Sequence, residues 1–167
     1  VGRGHALDVE ALHRGTSVYF TDRAIPMLPE RLSNGICSLN PGVDRLVQSV
    51  LVEVTAGGEI VESRFVDGVM RSAARMTYTK VRQILTDKDE TVRGRYKTLV
   101  PEFEKMLALF KVLRSRRQAR GAIDFERPEA EVILGKDGQV TDIRAAERSV
   151  AHRIIEEFML LANEVVA

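Results

Sequence analysis

The strongest constraint on the fold is an apolar stripe that repeats at helical spacing in the second half of the chain. From Thr98 onward, apolar residues recur every three or four positions, which predicts a helix that Gly121 ends. The same spacing predicts a final helix from about Glu147. The stripes consist of Leu99, Phe103, Met106, Leu107, Phe110 and Leu113 in the first helix and Val150, Ile154, Phe158, Leu161 and Val165 in the second. Because such a stripe faces a core, both helices are expected to pack against other elements.

The first half of the chain is richer in strand-forming residues. Two runs, from Leu46 to Thr55 and from Ile60 to Met70, are joined through Gly57-Gly58, a pair that supplies the positive φ of a tight turn. A second hairpin is predicted between Glu131 and Ile143, across Asp137-Gly138. A further strand is expected from Thr16 to Phe20. The mixture predicts an α+β fold, a single domain of antiparallel hairpins packed with helices.

The remaining segments carry weaker local signals. Asp8 is expected to N-cap a short helix, and Thr77 or Thr79 another that runs through Leu85. The two prolines of residues 25–29 predict a loop, packed on the core because it is apolar. Residues 86–95 are highly charged and are interpreted as an exposed connection.

Composition excludes several classes of protein. The 167 residues are 44% hydrophobic and 29% charged, which suits one domain with a real core and argues against a disordered tail. No apolar run approaches the roughly 18–20 residues of a membrane-spanning helix, and no signal peptide opens the chain, so a cytoplasmic protein is expected. The one cysteine, Cys37, excludes an internal disulfide and is expected to be a small buried thiol.

Both ends of the sequence look cut. The chain starts at Val1 without an initiator Met, and it stops at Ala167 inside a periodic helical pattern without a terminating signal. We therefore expect the natural polypeptide to continue.

The residues alone indicate no catalytic site. The three histidines, His5, His13 and His152, are widely spaced and match no metal-ligand pattern. The carboxylates do not cluster as a two-metal site requires. The pairs that a strand could present on one face are explained as solvated strand faces: Asp124 with Glu126 and Glu129 with Glu131.

Two polar features each leave two interpretations open. Five cations near the end of the long helix either stay in water, where they favour the helix dipole, or contact phosphates. They are Lys111, Arg114, Arg116, Arg117 and Arg120. One side of the last helix carries polar residues that form either a solvated face or a surface that receives ribose hydroxyls. These are Ser149, His152, Glu156 and Asn163.

Several strings, in order along nearly the whole chain, resemble one family. They are RGTSVYFTDRAIPMLPERL at 14–32, SNGICSLNP at 33–41, ARMTYTKV at 74–81, RGAIDF at 120–125 and AHRIIEEFMLLAN at 151–163. These strings resemble the RNB catalytic domain of the ribonuclease II / ribonuclease R family, and the likeness is greater to the ribonuclease R branch. On this resemblance, residues 1–167 are expected to be a partial RNB domain.

The resemblance implies a magnesium-dependent, processive exoribonuclease that degrades single-stranded RNA from the 3′ end and releases nucleoside 5′-monophosphates. Tyr19 matches a tyrosine that stacks on a base near the 3′ end, and Phe125 matches the aromatic residue that closes the other side of the stack. Tyr78 and Glu156 match residues that distinguish RNA from DNA, with Glu157 as the alternative register. Without the resemblance, the three aromatic residues would be interpreted as core residues.

The resemblance also shows what the chain lacks. The metal-binding aspartates of the family form a D-x-D-D-type cluster that precedes the part matched here, and an arginine segment and RNA-binding β-barrels follow it. We therefore expect no catalytic residue and no Mg²⁺ ligand within residues 1–167, and no cleavage of RNA by the chain alone. Single-stranded RNA is the expected partner, with no membrane and no obligate protein partner.

Two alternatives to the enzyme fragment remain. The chain is either a non-catalytic module that binds single-stranded RNA without a metal site, or an unrelated scaffold whose basic helix end contacts a protein.

Overall fold

The computed structural model describes residues 2–122, 130–135, 137–146 and 148–167. Helices and paired strands alternate, and the strands form two-stranded sheets, β1 with β2, β3 with β4 and β5 with β6. In chain order the elements are α1 Ala6–Arg14, β1 Val18–Tyr19, β2 Ala24–Ile25, β3 Asp44–Val54, β4 Ile60–Arg71, α2 Tyr78–Arg82, α3 Glu90–Arg95, α4 Val100–Ala119, β5 Ala130–Leu134, β6 Val140–Ala145 and α5 Val150–Val166. The predicted α+β class is confirmed. No helix in the described ranges is both long enough and apolar enough to cross a membrane.

The chain divides into two compact units. The first unit comprises Val1–Leu46, Val69–Ala74 and Pro128–Ala146, and the second comprises Val47–Gly68, Arg75–Arg127 and Glu147–Ala167.

The N-terminal helix of the first unit begins earlier than its sequence predicts. His5 is the N-cap of α1, because its Nδ1 accepts a hydrogen bond from the backbone N–H of Leu7 (3.2 Å). Asp8, the predicted cap, lies inside the first turn and accepts from the backbone N–H of Gly4 (2.9 Å). The prediction that Asp8 is the cap is therefore wrong, since an imidazole fills that position. Gly15 ends the helix with a φ of 68°, as predicted.

Short strands and turns make up the rest of the first unit. The predicted strand around residues 16–20 shrinks to Val18–Tyr19, which pairs antiparallel with Ala24–Ile25. Ile25 therefore belongs to a strand, and the predicted loop starts only at Pro26. Cys37 is exposed, so the expected buried thiol is wrong. It follows a π-helical turn, Arg31–Ile36, in which no residue is buried.

The two predicted hairpins are confirmed. The turn between β3 and β4 closes through Thr55, whose backbone N–H donates to the carbonyl of Glu59 (2.8 Å). Gly58 has a φ of 82°, and a Cβ atom there would lie 3.0 Å from Cγ1 of Val112 on α4. Glycine is therefore required both by the backbone conformation and by the close approach of the helix. The β5–β6 hairpin pairs Ala130 with Ala145 and ends at Leu134 opposite Val140.

In the second unit, the segment predicted to be an exposed connection is helical. The side chain of Asp89 accepts from the backbone N–H groups of Thr91 and Val92 (2.9 and 3.0 Å) and so N-caps α3. Lys88, with a φ of 54°, ends a π-helical turn that extends α2. The interpretation of residues 86–95 as a connection is therefore wrong. Asp89 caps a helix there, and the negative charge of Glu90 in the first turn stabilises the helix through its interaction with the positive N-terminal end. Thr77 caps α2, as predicted.

The core of the second unit lies where α4 and α5 meet the turn after α2. Ile84 and Ile154 are fully buried, and Leu85, Val100 and Phe110 surround them. The two predicted apolar stripes face this core. Phe103, Met106, Leu107, Val150 and Phe158 are the partly buried members packed against it.

A buried ion pair joins α4 to α5 beside this core. Nε of Arg117 donates to both carboxylate oxygens of Glu157 (3.0 and 3.2 Å), and the two side chains are only 17% and 6% exposed. Two more cations of α4 also meet carboxylates, Arg120 with Glu164 (3.0 Å) and Arg116 with Glu59 (3.8 Å). Three of the five cations near the end of α4, Arg116, Arg117 and Arg120, therefore form ion pairs with carboxylates of the same chain.

Arg117→Met should lower the free energy of unfolding by about 3–5 kcal/mol, because it leaves the carboxylate of Glu157 buried without its partner. Arg120→Met removes a solvent-exposed pair from the same two helices and should cost less than about 1 kcal/mol. Urea denaturation of the chain, followed by circular dichroism, measures both. Equal losses for the two variants would show that burial does not distinguish the pairs.

Candidate nucleic-acid interface

A stacked pair of rings marks the polar side of α5. The rings of Tyr78, the first residue of α2, and His152, in the first turn of α5, lie 3.8 Å apart between centroids with an interplanar angle of 24°. Tyr78 keeps 46% of its surface exposed. One face of its ring therefore rests on the histidine, and much of the rest of the side chain is open to solvent.

His152 is itself held by the N-cap of α5. Ser149 and His152 form a capping box, in which the backbone N–H of Ser149 donates to Nδ1 of His152 (3.2 Å). The Ser149 hydroxyl lies 2.9 Å from the same nitrogen. Because Nδ1 accepts the backbone hydrogen bond, the proton of the neutral ring lies on Nε2. The contacts at Nδ1, together with the stacking on Tyr78, restrain the orientation of the imidazole.

Glu156 lies four residues after His152, one helical turn along the same face. Its carboxylate pairs with Arg148 and its side chain is 43% exposed. Tyr78 therefore contacts the first turn of α5 through His152, and Glu156, the other predicted ribose-sensing residue, lies one turn further along the same helix.

Glu157, the alternative register, is in a different environment. It is buried toward α4, about 100° around α5 from Glu156, and both of its carboxylate oxygens accept hydrogen bonds from Arg117. A ligand hydroxyl could reach Glu156 without disturbing the core, whereas the carboxylate of Glu157 is already paired with Arg117. The two glutamates lie among arginines that give this end of the helices a net positive charge: Arg114, Arg117, Arg148 and Arg153.

An apolar cavity of about 490 Å³ opens beside Tyr78. Met76 and Phe103 contribute to its wall, together with Ile154 and Ile155 of α5. Its volume lies within the range of sites that take small organic ligands. The exposed Arg75 stands at its edge.

Tyr19 lies in the first unit, on the short strand β1. Its side chain is 81% exposed, and in the strand ladder it faces Ala24. The interpretation of Tyr19 as a core residue is therefore excluded. Phe125, the predicted second member of the base stack, lies outside the described residues.

The described residues contain no group of three or more histidine, cysteine, aspartate or glutamate side chains that could hold a metal ion. Of the two acidic pairs considered in the sequence, only Glu131 falls within the described ranges. It forms an ion pair with Arg144 across the β5–β6 hairpin (3.0 Å). The part of the chain that the structure describes therefore offers no set of side chains that fits a magnesium site.

Two contacts of this surface, and with them the residue Arg148, are not predicted by the sequence. The stacking of His152 on Tyr78 joins positions that are far apart in the chain, and no periodicity reports such a contact. Helical spacing does not predict the pairing of Arg148 with Glu156 either, because Arg148 precedes the helix. The one usable signal is the spacing of Ser149 and His152, which is that of a capping box with histidine in place of glutamate.

The sequence matches the RNB domain family over residues 1–167. Ribonuclease R of Vibrio cholerae is 48% identical over 158 residues, which cover 95% of this chain and 19% of the relative. Ribonuclease R of Escherichia coli is 48% identical over 157 residues, 94% of this chain and 19% of the relative. Ribonuclease R of Thermotoga maritima is 46% identical over 168 residues, covering this chain fully and 23% of the relative.

Solved structures of this family have the same fold as this chain. The RNase R of Mycoplasma genitalium, in complex with ribose methylated single-stranded RNA, superposes with a TM-score of 0.90 at 31% identity, over 100% of this chain and 26% of that one. The Dss1 exoribonuclease of Candida glabrata, at 20% identity, shares the fold with a TM-score of 0.82, over 99% of this chain and 22% of that one.

The chain thus spans about a fifth to a quarter of the length of these relatives. Its match to the family model runs from the first residue to the last, and the curated relatives align over nearly all of it. The chain belongs to the RNB domain family.

Proposed function

We propose that this chain is part of a magnesium-dependent, processive 3′-to-5′ exoribonuclease that acts on single-stranded RNA and releases nucleoside 5′-monophosphates. The observation that carries the proposal is the fit of the whole chain to an RNase R that was solved with single-stranded RNA. Within that enzyme, the segment supplies base stacking and recognition of the ribose.

The arrangement on α5 suits recognition of ribose. A 2′-hydroxyl is both a donor and an acceptor, and it is the group that distinguishes RNA from DNA. The phenol of Tyr78 can donate or accept, and the carboxylate of Glu156 accepts. Because a carboxylate has about four lone-pair sites, Glu156 can keep Arg148 and still receive a hydroxyl. The nearby arginines favour the approach of a phosphate backbone.

Stacking on Tyr19 suits an enzyme that must pass any sequence. Every base has a π-face, so an exposed aromatic ring binds purines and pyrimidines alike, with about 1–3 kcal/mol per base. The large exposure of Tyr19 leaves its ring available for such a contact.

The chemistry of the proposal requires a metal that these residues do not hold. Magnesium would activate the attacking water and stabilise the leaving oxygen. Since no described cluster fits it, we assign the metal to the aspartate cluster of the family and assign no step through it to this chain. A second candidate, a module that binds single-stranded RNA without cleaving it, is supported by the exposed ring of Tyr19 and by the arginines around Glu156.

Incubation with single-stranded RNA labelled at its 5′ end distinguishes the two candidates. With Mg²⁺, the complete natural protein should shorten the RNA progressively and release nucleoside 5′-monophosphates, and EDTA should stop the reaction. The 167-residue chain alone should leave the RNA intact. Binding by the natural protein without shortening at any Mg²⁺ concentration would favour the module, and shortening by the chain alone would overturn the assignment of the metal elsewhere.

Glu156→Gln and Tyr78→Phe in the natural protein should each reduce the preference for RNA over DNA. A charge-assisted hydrogen bond contributes more than about 1.5 kcal/mol, so the ratio of kcat/KM for the two substrates should fall about tenfold for Glu156→Gln. The control is Glu164→Gln, which removes a carboxylate and its ion pair from the same helix. An unchanged ratio in Glu156→Gln, or an equal fall in the control, would argue against this role for Glu156.

Tyr19→Ala should change how far digestion proceeds before the RNA is released, without abolishing cleavage. Loss of one stacked base weakens the grip on the RNA by about tenfold, while the reacting groups stay in place. Product ladders on denaturing gels measure this. Leu12→Ala is the matched control, since Leu12 in the same unit is also 81% exposed. A ladder that matches wild type in Tyr19→Ala would count against base stacking.

A further inference from the structure

His152 is placed to do more than cap a helix. It makes two kinds of contact at once: its Nδ1 accepts from Ser149, and the face of its ring lies against Tyr78. The first contact needs only an acceptor at this position of the helix, which glutamine supplies in ordinary capping boxes. The second needs a flat ring. The choice of histidine is therefore explained by the pair of contacts and not by either one alone.

We propose that His152 is a positioning residue for ribose recognition, whose ring fixes the plane of the Tyr78 ring and thereby sets the discrimination between RNA and DNA. The inference rests on the proposed role of Tyr78 at the ribose. It assigns to His152 no contact with the substrate.

The location of Tyr78 explains why such support is needed. Tyr78 is the first residue of a five-residue helix and is nearly half exposed, so its own element contributes little to hold the ring. The hydroxyl is at the far end of the side chain, where a small rotation about χ1 displaces it most. It lies on the χ2 axis, so rotation about χ2 leaves the oxygen in place but turns the ring plane and, with it, the direction of the O–H bond. Groups that recognise a substrate must be held within about 0.5 Å of the productive geometry.

The support for His152 is in turn rigid. The capping box anchors its Nδ1 to the backbone of Ser149, and the neighbouring Ala151 and Ile154 are buried in the core. The path of support thus runs from the packed helix α5, through a fixed imidazole, to an exposed phenol. Glu156 leaves the same helix one turn later, so both proposed ribose contacts depend on α5, Glu156 directly and Tyr78 through His152.

Two substitutions separate the ring from the cap. His152→Phe keeps a flat ring against Tyr78 and loses the acceptor, whereas His152→Gln restores a capping box of the usual kind and loses the ring. Each is made in the complete natural protein. The measurements are the melting temperature and the ratio of kcat/KM for a single-stranded RNA and for the same RNA carrying 2′-deoxyribose at its 3′-terminal nucleotides.

If the ring positions Tyr78, His152→Gln should keep the melting temperature and lower the ratio about fivefold or more, toward that of Tyr78→Phe. His152→Phe should melt earlier and keep the ratio within about twofold of wild type. The double variant Tyr78→Phe with His152→Gln should discriminate no worse than Tyr78→Phe alone, because both changes act on one contact. A retained ratio in His152→Gln, or a lost ratio in His152→Phe, would overturn the proposal.

Tyr78→Phe by itself separates this inference from the function on which it rests. If it lowers the ratio and His152→Gln does not, the positioning role is wrong and ribose recognition by Tyr78 stands. If Tyr78→Phe leaves the ratio unchanged, Tyr78 does not sense the ribose, and the role of His152 falls with it. Should His152→Phe fail to fold, His152→Gln still decides the question, since its cap is intact.

Discussion

The buried ion pair between Arg117 and Glu157 fixes the rotation of α5, and the rest of the polar surface depends on that rotation. A carboxylate that is only 6% exposed must face its arginine, since leaving it unpaired in the core costs several kcal/mol. Consecutive residues of a helix differ by about 100° in direction. With Glu157 turned toward α4, Glu156 is turned out of the core to Arg148, and His152 to Tyr78. This ion pair, together with the buried Ala151 and Ile154, thus determines which side chains of α5 are available to a ligand.

The same constraint gives adjacent glutamates different roles. Glu156 and Glu157 are the same residue type, so the sequence pattern cannot show which of them is available to a ligand. Their environments show it, because the carboxylate of Glu157 is enclosed with Arg117 and that of Glu156 is nearly half exposed. Which of the two glutamates can belong to a site therefore depends on the rotation of α5 about its axis, and packing sets that rotation.

The sequence predicts most of the elements and little of the surface. Periodicity predicts α4, α5 and the hairpins, because burial of one face leaves a regular pattern, and Gly58 marks its turn through its backbone conformation. Sequence reasoning fails at residues 86–95, where the many charged residues suggested a loop although Asp89 caps a helix. It also fails to predict the contact of Tyr78 with His152. That contact joins distant segments through packing of α2 on α5, and only the resemblance to a family pointed to Tyr78 at all.

Base stacking and ribose recognition, the two roles proposed for this segment, need side chains that are held with different rigidity, and the structure provides this difference. Stacking requires only a ring face, tolerates small rotations and accepts any base, so an exposed tyrosine on a two-residue strand is sufficient. A hydrogen bond to a 2′-hydroxyl weakens steeply as its angle departs from linear. Its donors and acceptors must therefore be attached to something rigid. In the proposed arrangement, Tyr78, at the start of a short helix, gains that rigidity from His152, whereas Glu156 has it from α5 itself. The proposed selectivity for ribose then depends on the packing of α4 against α5, and the proposed tolerance of base sequence does not.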